Sequence, residues 1–424
     1  PPPGTLAALE CRADVAARRV ECGGAGLPAG VHADQVFGGQ GVNVLLTSTN
    51  VGYNAGTQIF SADVTVKNLL VQRLGTSTGT DTAGIKVFFA ADPAVTAGSG
   101  TVSVENADGY GLFTSVNQGY FWYHQVLPWK AVSAVKHWRW SVSPGVTGFT
   151  FKVYVSTPVL PVVVFDRLVA GNLDVYRVAL DGGDTVRLST TLTDEFDPTA
   201  SHGKVVFVGY QDGDAELYSM PLTGGAPTRL TNSFKITESD PALSPDGSKL
   251  AYITDVSGVG KVWTMNVDGT GAARSTAGFS FSGSIEVTPS WFSNDRLAFV
   301  STDLGSGDIY GMTLGSLPSL LVGGSSADLQ PAVSPDGGRV AFISNRDGDT
   351  EIYLYTVSTH AITRLTNRVG TDAQPAWLSD KVLVYTVFVG STPHLEWMEP
   401  ATPGVSHVIP TGPGNAQRPS AVLF

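Results

Sequence analysis

Five acidic residues recur at one fixed place in this chain. Glu195, Glu238, Glu286, Asp328 and Asp372 each lie three residues before a proline, and a sixth copy of the pattern has Ala416 there. Carboxylates repeated at a constant position come together wherever the repeats themselves are arranged in a ring. A ring of this kind at a channel mouth would hold a cation or recognise a basic group. The same acids would also serve as repeated structural acceptors for backbone N–H groups.

Other motifs carry weaker chemistry. The stretches 210–216 (YQDGDAE) and 345–351 (NRDGDTE) resemble fragments of calcium loops through Asp212, Asp214, Asp347 and Asp349. A complete loop needs further ligands, and an Asp-Gly hairpin turn accounts for the same residues. No cofactor is required by any motif; calcium is the one candidate. Gly75-Thr-Ser-Thr-Gly79 matches the nucleophile-elbow string, but it sits in a Thr/Ser/Gly-rich stretch without the strand and helix that an elbow needs. The seven histidines are scattered, and none has helical ligand spacing. Tyr120-Phe121-Trp122-Tyr123, with Trp129 nearby, would stack sugars or fill a core. Cys11 and Cys22 are the only cysteines, and their closeness points to a disulfide on a small hairpin and so to an oxidising compartment.

The elements that position these residues are strands. The chain has 424 residues, 42% hydrophobic and 15% charged, with 49 glycines. No long segment has helical apolar periodicity, so the class is all-β. Six units of about 42–48 residues run from 162 to 424, marked by Pro198, Pro241, Pro289, Pro331, Pro375 and Pro419. Each holds an apolar strand such as Val205–Val208 or Val340–Ile343. Five carry an aromatic on the following strand: Tyr176, Tyr218, Trp263, Tyr310 and Tyr353. Four short strands per unit make one blade of a six-bladed β-propeller, which buries its blades against each other. The first unit lacks its Pro-bearing strand, and Gln417–Phe424 supplies one at the other end. The C-terminal strand is therefore expected to complete the first blade and close the ring.

The segment "DLQPAVSPDGGRVAF" at 328–342, followed by Arg346-Asp-Gly-Asp-Thr-Glu-Ile-Tyr353, resembles the TolB-like propeller family over residues 162–424. The last unit departs from that pattern with Leu395-Glu396-Trp397-Met398. The resemblance implies a secreted or periplasmic protein that serves as a protein-binding platform.

Residues 1–158 read as an immunoglobulin-like β-sandwich, with strands such as Phe60–Leu70, Val135–Val142 and Phe149–Val155. The stretch Pro158–Pro161 separates it from the propeller domain, 159–424. Charge is uneven: residues 1–160 hold ten basic and nine acidic side chains, and the rest hold sixteen and twenty-eight. A net charge of −11 argues against nucleic acid as a partner. No run of 18 apolar residues exists to form a transmembrane helix. The start at Pro1 without methionine fits a mature exported protein. A hydrolase domain, which propeller-bearing peptidases need, has no room here, so no enzyme is expected.

The functional expectation is a secreted, non-enzymatic structural or interaction protein that self-assembles head to tail into a filament or surface structure. In that reading Pro1–Glu10 docks on an adjacent subunit, although the same segment would also serve as the first strand of its own sandwich. The alternative is a soluble propeller module that captures a protein, peptide or glycan.

Overall fold

Alternation of apolar and polar residues sets the first unit. A computed structural model describes residues 5–24, 43–211, 213–277, 284–390 and 392–423. The chain divides into two compact units, Pro1–Leu160 and Pro161–Phe424. In the first, Phe60, Ala62, Val64 and Val66 of the strand Ile59–Asn68 point inward, while the residues between them do not. Trp138, Trp140 and Val142 do the same on Lys136–Val142, and Phe149, Phe151, Val153 and Val155 on Val146–Ser156. Two antiparallel sheets, one of seven strands and one of four, share this core. Phe121 stacks on Trp138 at 4.6 Å, and Phe89 and Phe151 pack around them. Each such buried ring stabilises the unit by about 1.5–3 kcal/mol before entropy is counted.

The strand Thr5–Asp14 lies inside the larger sheet. It pairs with Val146–Ser156 on one side and with Arg19–Gly24 on the other. Ala7, Leu9, Cys11 and Ala13 enter the core, and Ala8 is covered on the opposite face by Phe88, Phe113 and Tyr154. The segment thus takes the competing place, as a strand of its own sheet: Thr5 and Ala7–Glu10 pair with Val146–Ser156, and from Leu9 onward the other edge pairs with Arg19–Gly24, so docking of residues up to Glu10 on an adjacent subunit gains no support. Pro1–Gly4 lie outside the described residues. Cys11 and Cys22 face each other across the hairpin and form the disulfide that their spacing indicated.

The second unit is a six-bladed propeller. Each blade is a four-stranded antiparallel sheet, as in Asp328–Val333, Arg339–Ser344, Glu351–Thr356 and Ala361–Arg364. Aromatic rings sit opposite each other on the two middle strands of five blades: Phe165 with Tyr176, Phe207 with Tyr218, Tyr252 with Trp263, Phe299 with Tyr310 and Phe342 with Tyr353. The Ser-Pro-Asp-Gly segments form the turns between first and second strands. Gly247 and Gly337 both take φ +67°, a conformation open to glycine. These turns also couple neighbours: the Asp246 N–H donates to Asn294 and the Asp336 N–H to Asp380, each in the following blade.

The first blade is built from both ends of the unit. Asn415–Leu423 pairs antiparallel with Val162–Val169, and its last residues run parallel to Ala200 and Ser201 of the second blade. Two expectations follow. Deleting residues 415–424 removes the innermost strand of the first blade, and the propeller should unfold at least about 10 °C lower by calorimetry. An unchanged melting temperature would show that the ring holds without this strand. Replacing Cys11 and Cys22 by serine should cost the first unit about 3 kcal/mol in chemical denaturation, from the lost restraint on the unfolded chain.

Candidate functional site

The five repeated acids stand at the first residues of the innermost strands, and they do not face the channel. All five are buried, between blades, against residues on the third strands. Asp174 meets Glu195 at the first junction, Glu216 meets Glu238 at the second, Asp308 meets Asp328 at the fourth and Glu351 meets Asp372 at the fifth. Lys261 takes the partner position at the third junction and lies 3.3 Å from Glu286. Arginines neutralise most of these pairs. Arg187 binds Asp174 at 2.6 Å, Arg229 binds Glu216 at 2.6 Å, Arg346 binds Asp328 at 2.7 Å and Arg364 binds Glu351 at 3.0 Å. Arg368 spans Asp372 and Glu396 at 3.0 and 2.9 Å and donates to the Tyr385 hydroxyl. Backbone donors add to this at some junctions, as in Val262 N–H to Glu286 and Arg368 N–H to Glu351.

What faces the axis is the residue immediately before each repeat proline. Asp197, Asp240, Thr288, Gln330, Gln374 and Arg418 line a central cavity of about 280 Å³. All six adopt φ between +48° and +55°. That conformation is costly for side chains other than Gly, Asn or Asp, and most of all for β-branched Thr288. It produces a β-bulge at each site, seen as a register break between Phe196 and Thr199, Leu329 and Ala332, and their counterparts. The bulge re-aims the chain, so the acid at the strand start turns into the blade junction while the residue two places on points to the axis.

A belt of hydrogen bonds holds these six in place. The N–H groups of five of the six are bonded by a side chain of the blade before: Asp197 by Asp166 at 3.2 Å, Thr288 by Asp240 at 3.4 Å, Gln374 by Gln330 at 2.8 Å and Arg418 by Gln374 at 3.0 Å. Asp197 accepts the Asp240 N–H in the same way. The Arg418 guanidinium reaches Asp166 at 3.1 Å and joins the two runs of bonds. Thr288 Oγ1 has no hydrogen-bond partner among the described residues.

The axis is thus polarised. Asp166, Asp197 and Asp240 crowd one side, amides and a hydroxyl occupy the other, and Arg418 is the one cation lining the cavity. Burial and then the Asp240 charge push the Asp197 carboxyl well above its usual range, and burial moves Asp240 the same way. Burial also pushes Asp166 up to about 6, against the pull of Arg418. Below the polar belt the wall becomes apolar, with Leu243, Trp291, Val333 and Trp377.

The remaining sequence candidates lie elsewhere. Asp212 is outside the described residues. Asp214 accepts the Lys235 N–H, and Asp347 accepts the Tyr353 hydroxyl at 2.5 Å. Among the described residues, no three His, Cys, Asp or Glu side chains converge as metal ligands. Ser77 belongs to a turn built on Asp81, which takes hydrogen bonds from Thr76 and Thr78 that hold its carboxyl far below the usual range. Phe121 and Tyr123 fill the core, while Tyr120 and Trp122 lie on the outer face with Lys86 against both rings.

The buried carboxyls set a pH dependence. Burial pushes Glu195 up to about 7 and Asp372 up to about 6. The folded state therefore keeps protons that the unfolded chain has already lost, so stability falls as pH rises from about 4 to about 7. The propeller's melting temperature is expected to be higher at pH 5 than at pH 8, and Glu195→Gln should flatten that slope. A melting temperature that rises across this range would contradict the assignment.

Comparison with known proteins places the fold in a family. The TolB beta propeller domain model matches residues 191–328 and 279–417. A TolB homolog of Chlorobium luteolum is 35% identical over 156 residues, 37% of this chain and 34% of that protein. The Tol-Pal system protein TolB of Francisella tularensis is 27% identical over 170 residues, 38% of each. The chain thus spans little more than a third of the length of these two relatives. The crystal structure of TolB from Acinetobacter baumannii superposes with a TM-score of 0.54 at 16% identity, over 62% of this chain and 66% of that one. Hydrazine synthase of Kuenenia stuttgartiensis gives 0.52 at 13% identity, over 62% and 47%, so the propeller fold by itself does not fix an activity. With the family model matching more than half its length, the chain belongs to the TolB beta propeller family.

Proposed function

We propose that the propeller is a non-enzymatic protein-interaction module whose channel receives a basic side chain of a partner. The observation that carries this is the pairing of Asp197 and Asp240 at the axis, beside a single arginine that is already bound to Asp166. Two neighbouring carboxylates that resist joint ionisation are relieved by a cation placed between them. The TolB relatives support an interaction role over the filament reading. Pairing of Thr5–Asp14 within its own sheet gives this segment a place in its own subunit and so removes the observation that favoured a link between subunits. The Cys11–Cys22 disulfide supports a place outside the cytoplasm, periplasmic or secreted. Two packed sheets around an aromatic core support an immunoglobulin-like reading of the first unit, although its disulfide joins neighbouring strands of one sheet.

The test is calorimetric titration with a short lysine-only peptide. Binding is expected for the native protein and should weaken at least about tenfold in Asp197→Asn/Asp240→Asn, with the melting temperature retained. Equal binding by the double variant, or none by the native protein, would remove the channel from the reading.

A further inference from the structure

One end of the propeller carries bulky apolar side chains at corresponding places. The connectors that lead from one blade to the next expose Leu192 at 99%, Phe234 at 83% and Val369 at 92%, and Ile285 holds a like position between the third and fourth blades. The loops between second and third strands add Val256 and Leu304. Connectors and loops share one end of the ring, because they bond to each other: Tyr210 N–H to Asp194 O, Asp255 N–H to Thr237 O and Thr302 N–H to Ile285 O. Single exposed apolar residues are common on any surface. Repetition at successive blade junctions, on one end, marks an interaction surface.

The charges at this end specify what fits. Asp194, Asp214, Asp255 and Asp349 lie on the same connectors and loops, and none forms an ion pair among the described residues. Arg346 and Arg368 are held by Asp328, Asp372 and Glu396. Lys235, against the Phe234 ring at 5.2 Å, is the one cation of these segments outside an ion pair among the described residues. An acidic, apolar collar repels anionic surfaces and complements a basic one.

The geometry points to this collar, centred on Leu192, Phe234 and Val369, as the docking surface for a protein segment that combines aliphatic or aromatic side chains with lysine or arginine. The assignment rests on the reading of the propeller as an interaction module, but it concerns residues apart from the channel. A partner would place apolar side chains against the connectors while its basic groups meet the flanking aspartates. Contacts of this mixed kind gain most from the few apolar anchors that are fully desolvated on binding.

Fluorescence anisotropy with three labelled peptides tests it: one alternating lysine with leucine and phenylalanine, its counterpart with glutamate for lysine, and the lysine-only peptide. The first should bind the intact protein, less tightly as salt is raised. Leu192→Ser/Phe234→Ser/Val369→Ser should weaken it at least about tenfold, leaving the melting temperature and lysine-only binding unchanged. Undiminished binding by the triple variant overturns the assignment, as does equal affinity for the glutamate peptide. It is also overturned if the native protein binds neutral phosphatidylcholine vesicles and the triple variant does not, since the collar would then be a membrane contact. If lysine-only binding is absent while the collar effect persists, the channel reading fails and the collar stands.

Discussion

The propeller depends on the pairing of Asn415–Leu423 with Val162–Val169. Blades are apolar on both faces and gain their stability only by stacking, so a ring missing one contact exposes two faces and a strand edge. Here the closing contact also organises the axis. Arg418, carried on the closing strand, bonds Asp166 on the strand it closes against, and Asp166 in turn receives the Asp197 N–H. The side-chain-to-backbone bonds around the channel thus run outward from the seam in both directions, to Thr288 on one side and Gln330 on the other. The polar lining is a product of closure, because no single blade contains both partners of any bond in the belt except the Arg418–Asp166 pair itself.

The blade junctions show how such a repeat tolerates buried charge. Placing two carboxylates in contact away from water is expensive, and arginine neutralisation offsets that cost only partly. Each junction solves the problem differently. Glu286 faces Lys261, Asp372 shares Arg368 with Glu396, and Glu238 stays beside Glu216 with burial and that neighbour pushing its carboxyl up. Ala416 avoids the problem by omitting the acid. The differences give each interface its own pattern of donors and acceptors, so neighbouring blades are not interchangeable although their backbones repeat.

Much of this was legible in the residues. Proline spacing, the Ser-Pro-Asp-Gly turns and the stranded first unit pointed to the propeller, and the displaced Pro419 segment pointed to its seam. The channel lining was missed by two residues. Repeating acids drew attention to Glu195 and its counterparts, but the axial positions hold Asp, Asp, Thr, Gln, Gln and Arg, which repeat in backbone conformation and not in chemistry. A residue before proline is ordinarily extended, so nothing local announces six left-handed conformations there; their uniform polarity was the available signal. The strand Thr5–Asp14 was undecided for a related reason. Its short apolar pattern suits any sheet edge, and only the neighbouring strands choose which one.

The shared first blade has a consequence for how the protein is made. Asp166 and Arg418 are 252 residues apart in sequence. Contacts of such long range are slow to form, since the intervening chain must be ordered before they bring any gain. During synthesis, five blades are complete while Val162–Val169 still lacks its inner neighbour. Until residues 415–423 have been made, the nascent domain presents an unpaired strand and two uncovered sheet faces, the features that lead growing chains to aggregate. Passage through that state is a hazard that the stability of the finished ring does not remove.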